Sequence, residues 1–435
     1  MKDKTKLLDL SKNVVIVLLF ASALFLFGKT VLYEPQSILS GISGIFGGDK
    51  ENSGNPAPNP ESTFRSAEPI YIMSTSPEGE HYAVKYNGEN KTKLFSGFSA
   101  VLGGSLGSSS KPESVSEDSW KKALSKSSVF FDYLSPRPLS SIATWLGTEI
   151  SGEASEFMAR RLCLSCQGDE LLLYFVSSEN GLAYRCKTAL ESSAILQKLG
   201  EYPTGNASFA FELEGKYPGL DPYFIFTEEE NKLREIEATN PITPSFSGEQ
   251  LLGLFDMNSR INTEYPESDG SVVYVEGNKS LRFDAAGNAL FTITGNAGIP
   301  IPKSGNELSA ADCIAAAGNI VQNSIGLFSG EGKLGLERID YDQNQASYTI
   351  LYNYVVGGIP VDLPKGTYAA RVKVSGNTIS RIELTFRKYD YLGGTLSPLP
   401  EKQAVAIASA KGGEPVLKYK DGSKGVEWDW TMNSN

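Results

Sequence analysis

Four cysteines and a single histidine are the whole supply of thiol and imidazole chemistry in this 435-residue chain. Cys163 and Cys166 have the C-x-x-C spacing of a metal knuckle or a redox pair, and Cys186 follows them. A structural zinc ion needs four ligands. His81 lies far upstream and no second C-x-x-C exists, so these cysteines read as small buried strand positions with at most one structural disulfide. Gly103-Gly-Ser-Leu-Gly107 spells G-x-S-x-G, but a nucleophile elbow needs a strand before it, a helix after it and a histidine later in the chain. No histidine follows, and Ser108-Ser-Ser-Lys-Pro112 cannot open a helix. Gly330-Glu-Gly-Lys-Leu-Gly335 spells G-x-G-x-x-G, yet it follows a helical pattern and precedes a strand, the reverse of the dinucleotide context. A glycosidase needs two carboxylates roughly 5 to 10 Å apart. The acidic clusters, Glu228-Glu-Glu230 and Glu267 with Asp269, sit in polar, loop-like surroundings suited to solvated charge. The expectation is a non-enzymatic chain with no catalytic, cofactor or metal-binding residues.

The elements that would carry such a chain begin with a membrane anchor. Val14 to Phe27 is an unbroken apolar or small-residue run, and apolar character resumes at Val31 to Tyr33 after Gly28-Lys29-Thr30. A spanning helix needs about 20 mostly apolar residues, with Lys29 able to snorkel and Tyr33 suited to the headgroup level. Ala21-Ser22-Ala23 has the small residues of a signal-peptidase site, but the apolar run continues through Leu24 to Phe27, so an uncleaved anchor is expected. Four lysines before the run, Lys2, Lys4, Lys6 and Lys12, outnumber Asp3 and Asp9, which places the N-terminus in the cytoplasm. Ala21, Ser22, Ala23 and Gly28 are the small residues through which this helix could pack against a partner's membrane helix.

The net charge of −11 disfavours nucleic acid and anionic lipid, and the hydrophobic content of 40% suits a packed outer part. The segments expected are a cytoplasmic leader over 1–12, a membrane helix over 13–33, a Gly/Pro/Asn-rich spacer over 34–67, an α+β domain over 68–240, a helix and strand meander over 241–300, and a repeated α+β module over 301–435. Within them Gly103 to Ser110 reads as a surface loop, and Ser116 caps a short helix with Trp120, Ala123 and Leu124 on one side. Ser247-Gly-Glu-Gln250 has a capping-box pattern before an apolar run. Ser309 with Asp312 caps a helix whose Cys313, Ala317, Ile320 and Val321 share a face. Tyr348, Ile350, Tyr352, Tyr354 and Val356 alternate as in a half-buried antiparallel strand. At the Gly376-Asn377 hairpin, burial favours Val372 opposite Ile382 and Ala370 opposite Leu384, which requires an odd loop with a bulge. A shortened second copy follows: Pro400 at a helix start, Ala404, Ile407 and Ala408 on one face, then strands at Val416 to Lys420 and Val426 to Trp430. The fold class is α+β, antiparallel sheets with helices on one face.

Val115-Ser-Glu-Asp-Ser-Trp120, Val129-Phe-Phe-Asp-Tyr-Leu134, Leu252-Gly-Leu-Phe255, the stretch from Gly270 to Leu281 and Tyr352-Asn-Tyr-Val-Val-Gly-Gly-Ile-Pro-Val361, set behind one anchor, resemble the YycH family. These are accessory membrane proteins of a cell-wall-regulating two-component system in Gram-positive bacteria, and their C-terminal part is related to YycI. The resemblance implies a regulator at the cell membrane that contacts a sensor histidine kinase through its membrane helix and outer domains, with a YycI-like protein as a second partner. It supplies no catalytic residues to carry over. The long spacer and the Gly103 to Ser110 segment depart from the family's pattern. Two readings from other classes stand beside it: a secreted peptidase-inhibitor-like or wall-binding module, for which the anchor would be dispensable, and a carboxylate-dependent wall hydrolase.

Overall fold

The computed structural model describes residues 67–213, 215–228, 232–243, 246–258, 260–295, 298–364, 366–409, 413–422 and 424–433. The leader, the apolar run with Ala21, Ser22, Ala23 and Gly28, and the spacer through residue 66 lie outside the described residues. Among those described, no helix is long and apolar enough to cross a membrane.

Near-continuous apolar runs such as Val129 to Phe131 and Leu171 to Val176 build, within the first half of the chain, a sheet buried on both faces. Its strands are β1 (Tyr71–Thr75), β2 (His81–Val84), β3 (Glu113–Val115), β4 (Ser128–Pro138), β5 (Met158–Gln167), β6 (Glu170–Ser177), β7 (Ala183–Glu191), β8 (Ala207–Phe209) and β9 (Ile225–Thr227), and every pairing is antiparallel in the order β3-β7-β6-β5-β4-β1-β2-β8-β9. The register lines Met73, Phe130, Cys163 and Tyr174 into a row on one face, and Ile72, Phe131, Leu162 and Phe175 into a row on the other. Three helices cover the second row: α1 (Gly88–Gly107), α3 (Leu139–Trp145) and α4 (Ser193–Leu199). The first row meets α2 (Glu117–Leu124), which Ser116 caps and which buries Trp120, Ala123 and Leu124 as its spacing predicts. A large side chain fully buried in such a row contributes roughly 1.5–3 kcal/mol.

The remaining strands are β10 (Leu233–Thr239), β11 (Thr263–Pro266), β12 (Val272–Glu276), β13 (Lys279–Phe283), β14 (Asn288–Ile293), β15 (Ile299–Pro300), β16 (Gly332–Asp342), β17 (Ser347–Val356), β18 (Ile359–Asp362), β19 (Ala370–Ser375), β20 (Thr378–Thr385), β21 (Lys388–Leu396), β22 (Glu414–Gly422) and β23 (Gly425–Asn433). Except for the β10–β21 pair they form one twelve-stranded sheet, antiparallel apart from β18 beside β22. Tyr274, Leu281, Phe291, Ile382, Val372 and Ile350 make a single buried row across six of its strands. Helix α5 (Ala310–Asn323) lies against this face with the Ser309–Asp312 capping box in place, and Tyr352 Oη donates to Ile314 O at 3.0 Å. The mixed α+β architecture expected from the alternation is what forms. At the Gly376-Asn377 hairpin the expected pairs Val372–Ile382 and Ala370–Leu384 are present, but the turn has two residues and the extra residue is Ser380, unpaired within β20.

Two expectations are corrected. Gly103 to Gly107 is no loop; it is the end of α1, with Leu94, Phe95, Phe98, Val101, Leu102 and Leu106 buried along the helix. A Cβ on Gly103 would stand 3.2 Å from Leu146 Cβ, and one on Gly104 would stand 3.3 Å from Leu190 Cδ1. Close packing outweighs the roughly 1 kcal/mol that each glycine costs a helix. In α6 (Glu401–Ser409) the buried side chains are Glu401, Ala404 and Val405, whereas Ile407 is exposed. Val405 joins Leu220, Phe224 and Phe226 beside β9, so this helix packs on the first sheet's end of the molecule.

Candidate functional site

The residues singled out for chemistry take structural places. His81 is buried between Thr75 Oγ1, 3.0 Å from its Nδ1, and Glu212 Oε1, 2.9 Å from its Nε2. All four cysteines are free thiols. Cys163 and Cys186 point into cores on opposite faces of the first sheet, and burial pushes the Cys163 thiol well up and the Cys186 thiol to about 12. Ser105 of the G-x-S-x-G string is fully buried inside α1. Gly330 makes a tight turn at φ +60° before β16, where a Cβ would meet Tyr389 O at 2.5 Å. Glu267 and Asp269 both hold Arg282, at 2.9 and 2.6 Å, on the surface. Glu229 and Glu230 lie outside the described residues. Among the described residues no three His, Cys, Asp or Glu side chains converge as a metal site.

What the sequence did not reveal is a buried charge network joining the first sheet to the C-terminal hairpin. In β4, Asp132 accepts from Arg160 Nε at 2.8 Å and from Arg161 Nε at 2.9 Å. Arg160 continues to Glu414 at the start of β22, and Arg161 reaches Asp221 with Nη1 3.0 Å from each carboxylate oxygen. Burial would raise the Asp132 carboxyl, but the two guanidiniums outweigh it and hold it at about 2. The same burial, only partly offset by the arginines, pushes Glu414 up. A second buried pair, Lys85 Nζ with Glu401 at 3.0 Å, ties β2 to α6 and is completed by Ile225 O and the Thr227 N–H.

Beyond Asp132 the strand bulges. Asp132 pairs with Arg161 and Arg137 pairs with Ala159, so Tyr133 to Pro136 face only Arg160 on β5. Leu134 turns there at φ 59°, its N–H held by Asp132 Oδ1 at 2.8 Å. A bulge of this kind re-aims the side chains after it. Arg137 therefore leaves the network and enters a cleft of about 640 Å³ between the start of α1, β16 and the Gly357-Gly358 turn. The residue is 3% exposed; its guanidinium donates Nη2 to Leu336 O at 2.9 Å and lies over the Tyr133 ring, while the buried Nε–H has no acceptor among the described residues.

Lys91, in the first turn of α1, borders the same cleft at 5% exposure, with Glu68 Oε1 3.8 Å from its ammonium. Burial, offset only in part by Glu68 and reinforced by the nearby charges of Lys333 and Arg137, pulls the Lys91 ammonium below its ordinary range. Lys93, Lys232, Lys333 and Arg234 complete the basic lining, against the carboxylates of Glu68, Glu89 and Glu331. The floor is backbone brought close by glycine. Gly88 N donates to Gly357 O at 3.0 Å, and a Cβ on Gly358 would meet Gly88 N at 3.1 Å. A concavity of this size with a few convergent polar groups is the form that small-molecule sites take.

No family model matches the chain, and no curated protein matches it. Among solved structures, the crystal structure of YycH from Bacillus subtilis has the same fold, with a TM-score of 0.57 and 10% sequence identity over 88% of this chain and 97% of that one. At that identity the likeness is one of fold, and the fold of this chain is YycH-like.

Proposed function

We propose that this chain is a single-pass membrane regulator that acts by binding, and that its partner is the sensor histidine kinase of a cell-wall two-component system. The observation that carries this reading is a fold shared with YycH along nearly the whole of both chains. The resembling segments, among them Val129 to Leu134, supply the partner. In this reading Val14 to Phe27 crosses the membrane from a cytoplasmic N-terminus, the segments 68–240, 241–300 and 301–435 face outward, and a YycI-like protein is the second partner. A binding role is also supported by what the reactive side chains do: His81, Asp132, Glu267 and Asp269 are each engaged in structural hydrogen bonds or ion pairs.

The physical mechanism is confinement. A weak contact between outer domains becomes strong when both proteins share a membrane, because the effective concentration rises. A second contact, between membrane helices, would use Ala21, Ser22, Ala23 and Gly28, since close packing replaces the missing hydrophobic drive in lipid. The test is to replace Val14 to Phe27 by an unrelated spanning helix of equal length and to measure in-cell crosslinking to the kinase and the kinase's downstream transcription. Loss of both with membrane insertion intact is the expected result. Unchanged values of both would remove the helix contact, and no crosslink from the native chain would remove the kinase.

A further inference from the structure

The cleft between α1 and β16 holds buried positive charge that the protein neutralises only in part, through Glu68 at 3.8 Å from Lys91 and the field of Glu337 on Arg137. Arg137 is 97% buried, by its 3% exposure, and is paired with no carboxylate among the described residues; its Nε–H is left without an acceptor. A buried, hydrogen-bond-deficient guanidinium is costly in a native fold. Lys91 is almost as deeply buried, with a single carboxylate at 3.8 Å and two further cations near enough to repel it. Both border an open volume of about 640 Å³, where a ligand has room to meet them.

Three further features favour an anion as the occupant. Lys91 stands in the first turn of a 20-residue helix whose partial positive end faces the same cleft. Six basic side chains line the cleft against three carboxylates, an excess that suits a doubly charged anion better than a singly charged one. The Gly88 and Gly358 backbones approach so closely that a Cβ on either would stand 3.1 Å from backbone atoms of the floor. Guanidinium and ammonium are the donors that hold a phosphate group, and the helix adds only its dipole, since the Gly88 and Asn90 N–H groups already donate to Gly357 O and Asn87 Oδ1.

We propose that this cleft binds a soluble, phosphate-bearing small molecule, its phosphate seated on Lys91 and Arg137 at the start of α1. The cleft exceeds the needs of the phosphate alone, so the ligand carries an organic remainder toward the half-buried Tyr391 of the cleft wall. Removal of either cation should weaken binding roughly 10- to 100-fold, the loss of one charge-assisted hydrogen bond.

The test uses the full chain in a neutral detergent and reads thermal stability against added inorganic phosphate, sodium acetate or sodium chloride at matched ionic strength. Saturable stabilisation by phosphate, weakened in Lys91→Met and in Arg137→Met, is expected. The two variants cover each other should one fail to fold, and Lys91→Gln serves as a third. Equal stabilisation by chloride, or a phosphate effect that survives both substitutions, would overturn the site. Acetate acting as strongly as phosphate would overturn the phosphate assignment. Glycerol phosphate should compete with inorganic phosphate, and competition by phosphatidic acid vesicles alone would overturn the soluble ligand. Binding is read on the chain by itself, so the result is independent of whether the partner is a kinase.

Discussion

Strand β4 carries buried charge at both ends of its bulge, and the two ends treat it differently. At Asp132 two arginines meet three carboxylates, those of Asp132, Asp221 and Glu414, so each guanidinium hydrogen-bonds at least one carboxylate, although Arg161 Nη2 has no hydrogen-bond partner among the described residues and stands 3.6 Å from Glu414. Five residues later Arg137 has a carbonyl and a tyrosine ring, and its neighbour Lys91 has one carboxylate at 3.8 Å. Burial alone therefore does not distinguish a structural ion network from a binding site. Direct pairing of each cation with a carboxylate does. A network whose charges are all answered from within holds elements together, here the first sheet to β22, across 254 residues of sequence between Arg160 and Glu414. A cluster left short of acceptors beside an open cleft has its counter-charge to receive from elsewhere.

Substitutions at the two ends separate these roles. The largest effect belongs to the charge network: Arg160→Met takes one of two guanidiniums from Asp132 and the nearer one from Glu414, and should destabilise the full chain by about 3–5 kcal/mol in urea unfolding. A loss near 1 kcal/mol would mean that the network is as incomplete as the cleft. Next comes a pH effect. The Asp132 carboxyl, at about 2 against an ordinary 3.8, is depressed by folding, so its contribution is present above about pH 4 and lost as pH falls through about 2. Asp132→Asn should thus lie about 2 kcal/mol below the wild type at neutral pH, with the gap closing toward pH 2. In the cleft the sign reverses, and Lys91→Met should leave unliganded stability unchanged or raise it by up to about 1 kcal/mol, because a poorly answered buried cation is removed. The smallest effect is on the surface, where Arg282→Ala frees Glu267 and Asp269 to water and should cost below about 1 kcal/mol, less at high salt.

How legible all this was depends on the distance over which the cause acts. The hairpins and helices α2 and α5 follow from local alternation and caps, and the Val372–Ile382 register followed from burial even though the extra residue sits at Ser380 instead of in the turn. Helix α1 was hidden because Gly97, Gly103, Gly104 and Gly107 have the composition of a loop. The reason for two of them is Leu146 and Leu190, more than 40 residues away in the chain. Ile407 has the spacing of a core residue, but the face of α6 that is buried is the one that sets Val405 against Phe224 and Phe226. The charge network and the cleft were invisible for the same reason, since their partners come from α1, β4, β5, β16 and β22. A hint was available in Arg160-Arg161, adjacent charges inside an apolar strand whose alternation must bury at least one of them.

The contrast between the two ends of the bulge is tested most directly by hydrogen–deuterium exchange of the full chain with and without saturating inorganic phosphate. The account expects slower exchange over 87–92 and 355–359, at the start of α1 and the Gly357-Gly358 turn, with no change over 129–132 and 160–165, where each arginine already holds a carboxylate. Equal slowing in both regions, or slowing confined to the β4–β5 network, would contradict it.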